Sequence, residues 1–229
     1  MSETTELAKI LPENVTLVKE DIADIFDEYA SSGNYLPRIQ LMTGNSGLVQ
    51  SGGMNVGEYA FITSKDDFIS LGKEVDVLVC SWRLKAMSLD NDSVVSSYDP
   101  ADPNFQKIRA LSDVKDSGCM CGVEFLLWVP EVNEFATYYM ASKSSRSEAK
   151  KLRSFIDEKN NVPGPATLKS RLAGNKKYKW HTPVITSCST PFTNPDPNKF
   201  LKTIEKFLNP PKDSSDVEVV EDDTNGRER

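Results

Sequence analysis

Apolar residues recur at helical spacing early in the chain, at Val18, Ile22, Ile25, Phe26 and Tyr29, and predict an amphipathic helix ending near Gly33. Tyr35 to Met42 reads as a strand. Gly44, Gly47, Gly52, Gly53 and Gly57 then predict a long flexible connection to a short strand around Tyr59 to Thr63. The strongest strand pattern is Glu74 to Ser88, where Val75, Val77 and Val79 alternate with Asp76, Leu78 and Cys80 before Trp82 and Leu84. Both of its faces are partly apolar, as a central strand requires. A polar connection with a short helix near Phe105 to Leu111 leads to two further runs, Cys121 to Val129 and Glu134 to Ala141. Pro130, Glu131 and Asn133 between them suit a hairpin.

Ser145 followed by Glu148 has the spacing of a capping box, and Ala149, Leu152 and Ile156 supply the apolar stripe of the helix it starts. The opposite face of that helix carries Arg146, Lys150 and Arg153 in line, and Asn161 to Pro165 ends it. Lys176 to Thr190 reads as another long strand. A last helix begins with Asp196 as N-cap and Pro197 at its first position, buries Phe200, Leu201, Ile204, Phe207 and Leu208, and stops at Asn209-Pro210-Pro211. Five or six strands with two or three helices, without regular βα alternation, predict a mainly β chain with peripheral helices. This β-rich α+β class covers an OB-like or other antiparallel barrel and a curved sheet. The chain divides into an acidic N-terminal segment with the amphipathic helix (1–32), a β-rich core domain (33–211) and a disordered acidic tail (212–229).

At 229 residues and 38% apolar the chain can bury one substantial core, and no apolar run approaches the roughly 18 residues of a membrane span. No membrane partner is expected. The first ten residues contain Glu3 and Glu6 and no basic-then-apolar order, so a secretory leader is not expected, and four cysteines suit reduced thiols in the cytoplasm. The formal net charge of -7 argues, as an average, against a nucleic-acid binder. Its distribution argues otherwise. Residues 1–32 hold eight acids against two bases and residues 212–229 seven against three, whereas residues 143–181 hold eleven bases against three acids. A charge run is ordinarily a solvated face and an acidic tail ordinarily a solubilising one. The functional alternative is an electrostatic site opposed by acidic ends, which compete for it or dock on basic partners.

Lys176, Lys177, Tyr178, Lys179 and Trp180 interleave cations with aromatics ahead of His181; Trp82 stands beside Arg83 and Lys85, and Tyr138-Tyr139 precede Lys143 and Arg146. Single-stranded nucleic acid needs both kinds of side chain, cations along the phosphates and aromatic faces for the bases, at roughly 1–3 kcal/mol per stacked base. Taken singly, each aromatic is equally an ordinary core residue with edge-strand lysines beside it. The expected binding residues are therefore Trp82, Arg83, Lys85, Tyr138, Tyr139, Lys143, Arg146, Lys150, Arg153, Lys176, Lys177, Tyr178, Lys179 and Trp180.

Other chemistry finds less support. Cys119 and Cys121 are spaced C-x-C, and Cys80, Cys188 and His181 could complete a zinc site, but no C-x2-4-C pair is present and buried thiols are the better reading. His181 is the one histidine a Cys-His or Ser-His nucleophile would have to use, and no G-x-S-x-G sequence occurs. Thr43-Gly44-Asn45-Ser46-Gly47 lacks the Lys-Ser/Thr ending of a phosphate-binding loop. The expectation is a protein without catalytic residues, metal or cofactor.

Pro37 to Met42 with its Gly-rich continuation, Trp82 to Met87, Asp116 to Cys119, Ala141 to Arg146 and Lys179-Trp180-His181 resemble a poorly characterised family of tailed-bacteriophage proteins associated with single-stranded DNA binding. The resemblance spans about residues 35–192. It implies an accessory protein of phage replication or recombination, in the host cytoplasm, with an OB-like barrel and an acidic tail. Its partners would be single-stranded DNA, or RNA, with replication or transcription proteins met by the tail. The alternative is a virion or host-takeover module that binds a protein and no nucleic acid.

Overall fold

The computed structural model describes residues 36–64, 67–90, 93–114, 117–157, 162–174, 179–188 and 194–210. The expected N-terminal helix, the acidic tail 212–229, and Lys176, Lys177 and Tyr178 lie outside them. Along the chain stand β1 (Arg38–Leu41), α1 (Gly47–Gln50), β2 (Tyr59–Ile62), β3 (Phe68–Ser70), β4 (Glu74–Asp90), β5 (Ser93–Ser97), α2 (Pro103–Leu111), β6 (Cys119–Val129), β7 (Glu134–Met140), α3 (Arg146–Arg153), β8 (Gly164–Gly174), β9 (Lys179–Ser187) and α4 (Pro197–Leu208). The protein is mainly β with peripheral helices.

The strands form a single sheet in the order β3-β2-β1-β7-β6-β4-β8-β9, with β5 added beside the far end of β4. All pairs are antiparallel except β1 with β7, so the sheet is mixed. It is also open: β3 and β9, at the two ends of the order, do not pair. Of the barrel and the curved sheet expected from sequence, the curved sheet is therefore the one formed, and it is mixed, not wholly antiparallel. The curvature is strong. The Tyr59 hydroxyl donates to the Lys169 carbonyl at 3.1 Å, joining β2 to β8 although four strands lie between them in the sheet. On this concave side Val75, Val77, Val79, Phe125, Leu127, Tyr138, Leu168 and Ile185 enclose the main core, closed by Ala149 and Leu152 of α3. On the convex side Phe200 and Phe207 of α4 pack on Leu78, Leu126, Trp128 and Phe135.

Strand β4 is central because its alternation serves both cores. Its register against β6 shifts between Val79 and Ser81, a bulge at Cys80. A bulge adds one residue and inverts the in–out parity beyond it. Before it, odd-numbered Val75, Val77 and Val79 point to the concave core; after it, Trp82 packs against that core and Leu84 and Ala86 against α2. Arg83 and Lys85 are thereby sent to the convex face.

The hairpin expected between residues 121 and 141 is β6–β7, and Asn133 adopts the left-handed conformation (φ 54°) that asparagine tolerates in such turns. Asp196 caps α4 as expected, accepting from the Lys199 N–H at 2.9 Å, but Leu208 is exposed rather than buried. One strand escaped the sequence reading altogether: β8 begins at Gly164, inside the Pro163-Gly164-Pro165 stretch that reads as a breaker. Gly164 is buried against the chain that follows α3, where a β-carbon would stand 1.9 Å from the Phe155 carbonyl oxygen. Gly164→Ala should accordingly cost about 3 kcal/mol, since neither backbone can yield. A fall in the urea midpoint at unchanged slope would show it; an unchanged midpoint would mean that this approach is not needed.

Candidate nucleic-acid interface

Helix α3 and the 3-10 turn Lys143–Ser145 before it hold the densest group of exposed cations among the described residues. The capping box expected from Ser145 and Glu148 does not form. The Ser145 hydroxyl donates to the Ser142 carbonyl, and Glu148 reaches away from the helix to accept the Ile185 N–H of β9 and the Lys151 ammonium, each at 2.8 Å. Burial acts to raise the Glu148 pKa, but these two hydrogen bonds, with the charges of Lys151 and Arg171, hold it below the ordinary carboxylate value. The helix's single acid is thus shared between the sheet edge and Lys151, while Arg146, Lys150 and Arg153 stay exposed. The Arg153 guanidinium lies 3.8 Å from the centre of the Trp82 ring, which is itself half-buried. A cation stacked on an indole at the surface is worth about 0.5–1 kcal/mol.

Asp113 faces this group, 3.1 Å from Arg146 and 3.6 Å from Lys143. The hydrogen bond from Arg146, then the charges of Arg146 and Lys143, hold its carboxyl below the usual range. All three side chains are solvent-exposed, so these pairs contribute little and a phosphate can replace Asp113. Arg109 of α2 belongs to the same neighbourhood: burial pushes the Cys121 thiol up, while the charges of Arg109 and Arg146 act against that rise.

The other expected binding residues fall elsewhere. Tyr138 is buried in the main core, edge-on to Tyr59. Arg83 and Lys85 sit on the convex face and close on the buried Glu124, with Arg83 Nη2 2.6 Å from Oε2 and Lys85 Nζ 2.7 Å from Oε1. Arg83 also lies over the Tyr98 and Phe207 rings and donates to the Phe207 carbonyl, closing the C-terminal end of α4. Lys85 lies over Tyr139, whose hydroxyl donates to the Lys85 carbonyl. Arg83, Lys85 and Tyr139 therefore form a packed polar cluster that fixes α4 to the sheet. Trp82 and Tyr139 are on opposite faces of the sheet, so the expected aromatics do not line one groove. Lys179 and the partly exposed Trp180 stand apart, on the edge strand β9.

Sequence reading passed over Glu124, although a glutamate inside the apolar run Val123 to Val129, opposite an Arg-x-Lys pair, was a visible sign of a buried ion pair. It also passed over Arg109, and it counted Lys151 and Arg171 only within the basic segment 143–181; their places follow once the helices and β8 are set. Among the described residues no group of three or more His, Cys, Asp or Glu gathers to hold a metal. Cys80 is the buried bulge residue, and Cys119 and Cys121 pack beside Phe105 and Ile108. No helix among the described residues is long and apolar enough to cross a membrane. Neither a family model, nor a curated protein, nor a solved structure matches this chain.

Proposed function

We propose that the protein binds single-stranded nucleic acid, without sequence preference, across the exposed face of α3. The observation that carries this is the Arg153–Trp82 stack at the end of a cationic row whose only acid, Glu148, is turned into the sheet edge. Lys143, Arg146, Lys150 and Arg153 would follow successive phosphates. When Arg153 moves to a phosphate, the Trp82 face it covered takes a base. Arg83, Lys85 and Tyr138, which the sequence alone grouped with this site, have no part in it. Phosphate contacts carry no sequence information, which accords with sequence tolerance.

Titration of the intact chain with oligo(dT), followed by indole fluorescence, tests the reading. Three to four phosphate contacts predict that log K falls against log salt with a slope of about -2 to -3. The acidic tail should compete for the same cations, so that removing residues 212–229 tightens binding most at low salt. No binding at low salt, with the tail present or removed, would exclude nucleic acid as the partner.

A further inference from the structure

At the edge of the sheet, the start of β9 and the end of β8 face the turn after β1 across a cleft of about 330 Å³. Its lining combines a cation, an imidazole, an indole, a carboxamide and two aliphatic side chains: Lys179, His181, Trp180, Asn45, Val56 and Leu172. The imidazole is held from two sides. The Ser170 hydroxyl lies 2.8 Å from Nδ1, and Gly57 packs so close that a β-carbon there would stand 2.3 Å from the same atom. Gly57 also has a φ of 86°, so position 57 excludes a side chain on two counts. The hydrogen bond between Ser170 and Nδ1 leaves Nε2 as the ring atom available to a ligand.

The cation is uncovered as well. Gly174 stands opposite Lys179 in the β8–β9 ladder and places no side chain over it. Leu172, opposite His181 in the ladder and 55% exposed, shares its face with Lys179, while Trp180, opposite Ala173 and 41% exposed, borders the cleft from the other side of the edge strand. Convergent polar groups on an apolar cleft are the usual form of a small-ligand site.

We propose that this cleft binds one nucleoside 5′-phosphate unit. Lys179 and His181 Nε2 take the phosphate, Leu172 and Val56 cover the base, Trp180 at the rim of the cleft reports its arrival, and the Asn45 carboxamide, both donor and acceptor, meets the base edge. The site goes beyond the strand-binding face, since none of its residues lies on α3. The unit is either a free nucleotide or the phosphorylated end of a strand.

The indole N–H resonances of the labelled full chain decide this. Thymidine 5′-monophosphate should shift the Trp180 resonance, identified by its loss in Trp180→Phe, to saturation. Thymidine and inorganic phosphate should each bind at least about tenfold more weakly, and Lys179→Ala should cost about tenfold for the monophosphate and nothing for thymidine. Should Trp180→Phe not fold, Asn45→Asp on the exposed turn replaces it and should weaken the monophosphate through its added negative charge. Tighter binding of 5′-phosphorylated than of 5′-hydroxyl (dT)4 assigns the strand end. Equal binding of the two, weaker than that of the monophosphate, assigns the free nucleotide. A resonance that ignores the monophosphate, responds equally to thymidine, or is indifferent to Lys179→Ala overturns the proposal. Oligo(dT) affinity that survives Lys179→Ala belongs to α3, so the two proposals fail separately.

Discussion

Replacing Glu124 by alanine should destabilise the protein by about 3–5 kcal/mol, the usual cost of leaving a buried charge without its partner. Glu124 is 3% exposed, and the Arg83 and Lys85 side chains that close on it are 14% and 16% exposed. Without the carboxylate, two cations stay on a largely buried face with no countercharge, and Arg83 loses the anchor that holds it between the Tyr98 and Phe207 rings. The Phe207 carbonyl then loses its donor and α4 its hold on the sheet. Equilibrium urea unfolding measures the loss. The triple variant Arg83→Met, Lys85→Met, Glu124→Leu should recover most of it, because apolar side chains of similar volume carry no desolvation cost. If Glu124→Ala costs less than about 1 kcal/mol, the cluster is solvated and the account of the convex face is wrong.

Neutralising the α3 face should have the largest effect on binding. The variant Arg146→Gln, Lys150→Gln, Arg153→Gln removes three of the four proposed phosphate contacts. Its slope of log K against log salt should flatten by about 2, and affinity for oligo(dT) at low salt should fall roughly 100-fold. Stability should fall by no more than about 1–2 kcal/mol, the worth of the Arg153–Trp82 stack and the exposed Arg146–Asp113 pair. The matched control is Lys199→Gln, an exposed-cation change on α4 at the other side of the sheet, where Lys199 pairs with Glu134. It should leave the slope unchanged. A flattened slope in the control, or none in the α3 variant, would move the electrostatic site off this helix.

Where local rules decide the outcome, the residues announce it. The alternation of Glu74 to Ser88 is strand β4, the Pro130 to Asn133 turn joins β6 and β7, and Asp196-Pro197 starts α4 with the cap its side chain makes. These features need only neighbours in sequence: a period of two, a residue that tolerates positive φ, an oxygen three residues from an N–H. Strand β8 was missed for the same reason, because Pro163-Gly164-Pro165 obeys the local rule for a turn. Its pairing with β4 and the close approach of Phe155 to Gly164 are contacts between distant segments.

The candidate site divides along the same line. Composition and order along the chain determined that cations concentrate between residues 143 and 181, that Trp82 is flanked by basic residues, and that the chain is mainly β. They could not say which of these side chains share a surface. That was decided by one extra residue at Cys80, which inverts the parity of β4 and sends Arg83 and Lys85 to Glu124 on the convex face while leaving Trp82 beneath Arg153. It was decided also by Glu148 finding a partner on β9 as well as Lys151 in its own helix, instead of capping that helix. A sequence counts charges; only the register of the sheet and the seat of a helix on it determine which are neutralised inside and which are held at the surface, because Coulombic pairing depends on distance in space and not along the chain.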